Sequence, residues 1–198
     1  MKATYRSIVP LLLFSTVLLV GCNDSNPAAS SMSSGEMLNA GSLEKAIAAT
    51  TPSDISPEER ASMVFMREEE KVARDVYRAM YQRWGHRTFN NISRSEEIHM
   101  RAILILLNRY GIPDPVGTNG VGVFTDPHLQ DLYNQLIALG NTSLLEALRV
   151  GVLIEETDID DLEDGIALAD NRDILLVYNN LLQASHNHLR AFNMSIGQ

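Results

Sequence analysis

Five side chains in this sequence have the types and spacing of a ligand set: Glu70, Glu96, His99, Glu155 and His188. They stand out against helical periodicity, in which apolar residues recurring at alternating three- and four-residue steps mark the inward face of a helix. The first stripe reads Met63, Met66, Glu70, Ala73, Tyr77, Met80, Trp84, and the second Ile92, Glu96, His99, Ile103, Leu106, Tyr110. The third reads Leu148, Val152, Glu155, Ile159, Leu162, Ile166, and the fourth Ile174, Tyr178, Leu181, Ser185, His188, Phe192. Each stripe carries a polar break. Three carboxylates and two imidazoles in one core would cost several kcal/mol per unpaired ion, against about 5–15 kcal/mol for the stability of a whole domain. Arg67, Lys71, Arg74 and Arg101 fall off the stripes and read as surface partners of Glu68, Asp75 and their neighbours, so they do not neutralise the set. A pair of divalent cations would satisfy the oxygens and nitrogens together, and mixed carboxylate and imidazole donors suit iron or manganese.

Duller readings compete at each position. Glu96 also fits the N3 place of a capping box begun by Ser93. His99 and His188 could be core histidines bonded to carbonyls, while Glu70 and Glu155 could belong to surface runs with Glu68, Glu69 and Glu156. The coincidence of breaks on four stripes favours a site. His86 and His128 read as solvated, and His186 points away from His188 by about 200° of helix. Tyr77, Tyr110 and Tyr178 are core aromatics by default, with Tyr178, Ser185 and Asp158 as candidates for a supporting layer around the ligands.

The elements that must position these residues are helices. Ser56-Pro57-Glu58-Glu59 supplies an N-cap, a proline at the first helical position and an acid that reaches back to the cap, so a helix should run from there to Trp84 and stop at Gly85. A second is expected from near Ser93 to Tyr110, a short one from Asp126-Pro127 to Leu139, a third long one over 142–168, and a fourth from the Asp170-Asn171 turn to about Met194. Apart from the brief 121–124 stretch no strand pattern appears, so the fold is expected to be all-α. Two hairpins joined by a long connection with its own short helix make a four-helix bundle with one crossover, the ferritin-like arrangement. Glu155 and Ser185 each lie fifteen residues from Asp170 and should come level. A non-helical link over 85–92, spanning up to roughly 26 Å, would bring Glu96 level with Glu70.

Glu96-x-x-His99, the lone inward glutamate of Met66-Arg67-Glu68-Glu69-Glu70-Lys71-Val72-Ala73-Arg74-Asp75 and an acid on the third long helix resemble the di-iron carboxylate proteins, including rubrerythrin and bacterioferritin. More closely, the chain resembles an uncharacterised family of bacterial and archaeal ferritin-like proteins. The resemblance runs through Met66 to Lys71, Gly122-Val123-Phe124-Thr125-Asp126-Pro127, Ile154-Glu155-Glu156, Asp158-Ile159 and Asn187-His188-Leu189-Arg190-Ala191-Phe192. It implies Glu70 as the first-helix ligand, Glu96 as a bridging carboxylate, and His99 and His188 as terminal ligands on the two metals. Glu155 or Glu156 would be the second bridge: periodicity prefers Glu155, and the acid two residues before Asp158 prefers Glu156. The chain departs from the pattern at Ser185, where a fourth carboxylate is expected. Three carboxylates leave two ferrous ions with excess positive charge, and the second ion either binds weakly or leaves an open position for reaction.

The remaining sequence bounds the setting. The chain has 198 residues, a net charge of −9 and one cysteine, which excludes a disulfide framework and argues against nucleic-acid partners. Lys2 and Arg6 precede an apolar run over 8–21, too short to span a bilayer. The run ends in Leu19-Val20-Gly21-Cys22, which resembles the lipobox of bacterial lipoproteins. That resemblance implies removal of 1–21, lipid on Cys22 and anchorage in the cell envelope, on the outer membrane if the host is Gram-negative. The mature chain would carry 14 basic against 25 acidic side chains, or −11. Residues 22–55 read as lipidated cysteine and flexible tether reaching roughly 30 Å, with a helical turn or two over 43–49, and 56–198 as the bundle. The expected activity is redox chemistry at a dinuclear iron centre, as in ferrous oxidation or peroxide reduction. Its rival is a non-catalytic metal-binding or structural bundle that meets other envelope proteins. Self-association is compatible with either.

Overall fold

The computed structural model describes residues 40–197. They form six helices: α1 Ala40–Ala49, α2 Pro57–Trp84, α3 Arg87–Arg109, α4 Pro127–Gly140, α5 Leu144–Leu168 and α6 Arg172–Ile196. No strand occurs among the described residues, and 121–124 is turn and coil. The signal segment, Cys22 and most of the expected tether lie outside the described residues.

Local chemistry sets the helix ends. At α2 the Ser56 hydroxyl accepts from the Glu59 amide at 3.0 Å while the Glu59 carboxylate accepts from the Ser56 amide at 2.8 Å, and Pro57 begins the helix. Gly85, at φ 68°, stops it in the left-handed conformation that glycine adopts without penalty. The chain then turns within two residues. α3 begins at Arg87, so the non-helical link expected over 85–92 is helical from its third residue. Phe89 and Ile92 are buried, which carries the helix back to the turn, and the Ser93 hydroxyl donates to the Asn90 carbonyl within the helix and is not a cap.

α2 packs on α3 and on α5, α3 on α6, and α5 on α6; α4 covers α2 and α5, and α1 lies on α3 and α6. Part of the expected tether is therefore a docked helix. Leu43 and Ile47, one turn apart on α1, are buried in an apolar cluster with Met66, Ile103 and Leu181. Arg109 fastens the end of α1 through the carbonyls of Ile47, at 2.8 Å, and Thr50, at 2.5 Å, and pairs with Asp173 at 2.8 Å. No described helix is long and apolar enough to cross a membrane.

The core is divided. One apolar cluster holds Met63, Met66, Ile103, Leu162 and Leu181, and the other holds Ala73, Tyr77, Ile92, Ile154 and Phe192. On α2, α3 and α6 the changeover from one cluster to the other falls at Glu70, at Glu96 and His99, and at His188. Gly151 lets the layers close there, since a β-carbon on it would stand 2.4 Å from Phe192 Cε1.

The charged run on α2 overturns the expectation of a surface face. Residues 66–73 are all buried, because the crossover segment wraps the outer side of the helix. A helix buried all round is ordinarily apolar, so each charge here needs its own partner. Arg67 grips Asp114 through two bonds of 3.0 Å and donates to the Met100 carbonyl at 3.1 Å. Glu68 accepts from the amides of Thr125, at 2.6 Å, and Asp126, at 2.9 Å. Lys71, wholly buried, donates to Asp75 at 2.7 Å and to the Gly120 carbonyl at 2.8 Å. Arg74 joins Asp75 to the exposed Glu97, with bonds of 2.9 and 3.0 Å. Only Arg101 stays on the surface, opposite Glu44 on α1. These residues hold the crossover against α2 and thereby fix the helix that presents Glu70.

Candidate metal centre

Two triads of ligand-capable atoms meet between the apolar clusters. Glu70, Glu96 and His99 form one, and Glu96, Glu155 and His188 the other, with each triad's atoms within 4.8 Å of one another and all five residues buried. Glu96 belongs to both. Its Oε2 lies 2.7 Å from His99 Nδ1 and its Oε1 lies 3.0 Å from His188 Nδ1. His99 Nδ1 is also 3.2 Å from Glu70 Oε2, and His188 Nδ1 is 3.4 Å from Glu155 Oε2. The two imidazoles stack at 5.5 Å between centroids, inclined by 23°. Either triad could hold a metal ion.

The register differs from the expected one. With the turn reduced to Gly85 and His86, His99 stands opposite Glu70, and Glu96 lies one turn nearer the turn. In the last hairpin His188 stands opposite Glu155, whereas Ser185 meets Asp158, donating to its carboxylate. Glu156 is exposed while Glu155 is 2% exposed, so Glu155 is the acid of this pair that faces the centre. The reason is angular: one helical step turns the side chain by about 100°.

The supporting layer is also redistributed. Tyr178 pairs with Ser62 at 2.9 Å, in the cluster that holds α1, and makes no hydrogen bond to a ligand. Tyr77, read as an ordinary core aromatic, donates to Glu155 Oε1 at 2.6 Å. That bond occupies one carboxylate oxygen and leaves the other facing His188. Asp158 holds Ser185 instead of a ligand histidine, and its Oδ1 has no hydrogen-bond partner. Tyr110 donates to Asp173 at 2.7 Å, away from the centre. His128 and His186 are exposed as expected, whereas His86 is half-buried against Phe89.

Electrostatics bind the set together. Burial raises Glu70 to about 7 even though His99 beside it acts in the opposite direction. Burial also pushes Glu96 upward, but the adjoining His188 and His99 outweigh it and its carboxyl lies below the usual range. Desolvation disfavours both imidazolium ions, yet Glu70 and Glu96 hold His99 well above its ordinary value, and Glu96 and Glu155 raise His188 to about 10. Burial and the Glu96 charge raise Glu155. Without a metal, the histidines are the cations of this core. They serve imperfectly, since Glu70 Oε1, Glu96 Oε1 and His188 Nδ1 are buried without an aligned hydrogen bond.

Residues 59–198 match the family described as an uncharacterized protein domain, DUF2202. The chain belongs to this family. It is 49% identical over 138 residues to the uncharacterized protein MJ0754 of Methanocaldococcus jannaschii, a match covering 70% of this chain and 75% of the relative. The crystal structure of that hypothetical protein superposes with a TM-score of 0.74 at 46% identity, over 75% of this chain and 85% of the other. A DUF305 fragment from Deinococcus radiodurans gives a TM-score of 0.57 at 16% identity, over 73% of this chain and 99% of the fragment, which is a likeness of fold alone. The family has no assigned activity, so the functional reading rests on the centre itself.

Proposed function

We propose that α2, α3, α5 and α6 form a ferritin-like four-helix bundle whose two triads bind a pair of divalent metal ions, iron foremost and manganese as the alternative, for redox chemistry on oxygen or peroxide. The observation that carries this reading is Glu96, whose two oxygens face one histidine each at 2.7 and 3.0 Å. A carboxylate so placed could bridge two ions. The donor set fits: carboxylate oxygens and imidazole nitrogens suit iron and manganese, and Glu70 Oε1, Glu96 Oε1 and His188 Nδ1 are buried without an aligned hydrogen bond. Iron bound there would supply one-electron exchange with an oxidant. The chain's own groups do the remainder. Glu70 and His99 would hold one ion and Glu155 and His188 the other, and Tyr77 keeps Glu155 turned by holding its Oε1. The apolar clusters on both sides exclude bulk water.

Anaerobic titration of the metal-free protein with ferrous iron, followed by oxygen or peroxide, tests the proposal. Two ions per chain and an absorbance change on oxidation that His188→Ala removes are expected. Absence of binding refutes the metal reading, and one ion per chain refutes the dinuclear one. Ser185, in the place of a fourth carboxylate, favours the second reading of a metal-binding or structural protein without turnover; two ions bound with no reaction would select it. We further propose that Cys22 carries the lipid that anchors the protein in the envelope. A mass shift lost in Cys22→Ser tests that.

A further inference from the structure

Apart from Glu70, which belongs to the centre, the buried charges of α2 are matched one by one except for Glu69. It is 7% exposed, its Oε2 has no hydrogen-bond partner, and it lines a cleft of 20 Å³, room for about one water, walled by Val72, Leu136, Leu153 and Ile154. Its carboxyl lies within hydrogen-bonding reach of Asp161 on α5 and close to Asp158 and Glu70. Asp161 is half-buried and neighbours Asp160 and Asp164, which are exposed. Asp158, 6% exposed with Oδ1 unpartnered, neighbours Glu70 and Glu155. A file of carboxylates therefore leads inward from the outer face of α5 to the ligands. Among the described residues, Glu69, Asp158 and Asp161 make no ion pair with lysine or arginine, whereas on α2 Asp75 pairs with Lys71 and Arg74 and Glu68 accepts from two backbone amides.

Once ionised, acids placed side by side repel one another, and neither the Ser185 bond to Asp158 nor the contact between Glu69 and Asp161 supplies a positive charge, so an external cation is the partner that would neutralise them. Resting on the metal-centre reading, we propose that Glu69, Asp161 and Asp158 are a loading path for divalent cations, with a transient station between Glu69 and Asp161. The exposed acids draw the cation to α5, and successive carboxylates replace its water as it moves toward Glu70. The station is loose by construction. The compact triads among the described residues are those of the centre, and none includes Glu69, Asp158 or Asp161. A cation there keeps part of its water, and passage requires binding strong enough to admit the ion and weak enough to release it.

The test is stopped-flow loading of Co²⁺ into the metal-free full-length chain, followed by cobalt absorbance, with final stoichiometry from calorimetry. Asp161→Asn and Glu69→Gln should each slow loading by about tenfold, within the range by which charge focusing alters association rates, and leave two Co²⁺ bound at equilibrium. Asp131→Asn, which removes an exposed charge on α4, should change the rate less than about twofold by the same reasoning. Unchanged loading in Asp161→Asn with both ions bound would overturn the path and leave the centre intact. A wild-type chain that takes up no cobalt would overturn the centre, and the path with it. Asp161 is only half-buried, so its variant remains informative if Glu69→Gln disturbs α2.

Discussion

Metal loading should expel protons, and their number follows from the charges in the core. His188 is raised to about 10 and His99 well above its ordinary value, so both imidazoles carry two protons at pH 7. The nitrogens facing the carboxylates are Nδ1 in both cases, and a nitrogen must be deprotonated before it can ligate. Each histidine therefore surrenders one proton. Glu70, raised to about 7, is half-protonated there and gives up about half a proton more. The ligands alone should release about two to two and a half protons per chain at pH 7, and the overall binding constant should rise at least about a hundredfold per pH unit. Titrating Co²⁺ calorimetrically in buffers of matched pH and different ionisation enthalpy reads the proton count directly. His188→Ala should lower it by about one, since that imidazolium is gone. Release of less than one proton from the wild-type chain would show that the histidines are not the core's cations, and the charge argument would fall.

Three further outcomes follow from the same structure. The metal-free protein should lose stability as pH rises: the folded-state values of Glu70 and His188 are raised, so their contribution is fully present below the unfolded values near 4.5 and 6.5 and is lost through about 7 and 10. A thermal midpoint that falls between pH 6 and 9 without metal and flattens with it would bear this out, and a metal-free midpoint that rises over that range would refute it. Lys71→Met leaves Asp75 with only Arg74 and the Gly122 amide and should cost about 3 kcal/mol in denaturant unfolding, the lower end for a broken buried pair; a cost under about 1 would contradict the pairing. Arg109→Ala should speed amide exchange over 40–50 by freeing the carbonyls of Ile47 and Thr50, while the metal affinity of the centre stays unchanged.

What the sequence revealed and what it concealed divide along a physical line. The stripes exposed the inward residues because burial from one side imposes a period, and Glu70, Glu96, His99, Glu155 and His188 are all buried together. The same method misread Arg67, Glu68 and Lys71, since a helix enclosed on every side has no period to show. Their partners, Asp114, Gly120, Thr125 and Asp126, lie about fifty residues away in a segment without regular structure. A run of charges of both signs between apolar residues, Arg67 to Lys71, followed by a glycine-rich crossover, was the available signal. Tyr77 escaped for another reason: an aromatic in a stripe declares its burial, but the direction of its hydroxyl depends on Glu155 across the helix interface. α1 was legible only as a helical turn or two, because two apolar residues one turn apart, Leu43 and Ile47, are too few to mark a stripe that docks.

The absence of a carboxylate at Ser185 takes on a different meaning once its partner is known. Ser185 is fully buried and donates to Asp158, which stands one turn along α5 from Glu155. Burial and the charges of Glu70 and Glu155 raise the Asp158 carboxyl well above its ordinary value, which disfavours its charge in the metal-free protein. A dication reverses that balance, because the local charge that suppressed ionisation becomes positive. On the metal-centre reading, the fourth negative charge then comes from α5 rather than α6, with the serine hydroxyl holding the carboxylate in place. Charge neutrality for two dications requires four anions near the centre and does not require that each be a ligand. Glu70, Glu96, Glu155 and Asp158 meet that requirement, and the sequence could not show it, because a serine and an aspartate twenty-seven residues apart become one functional pair only through the register of the last hairpin.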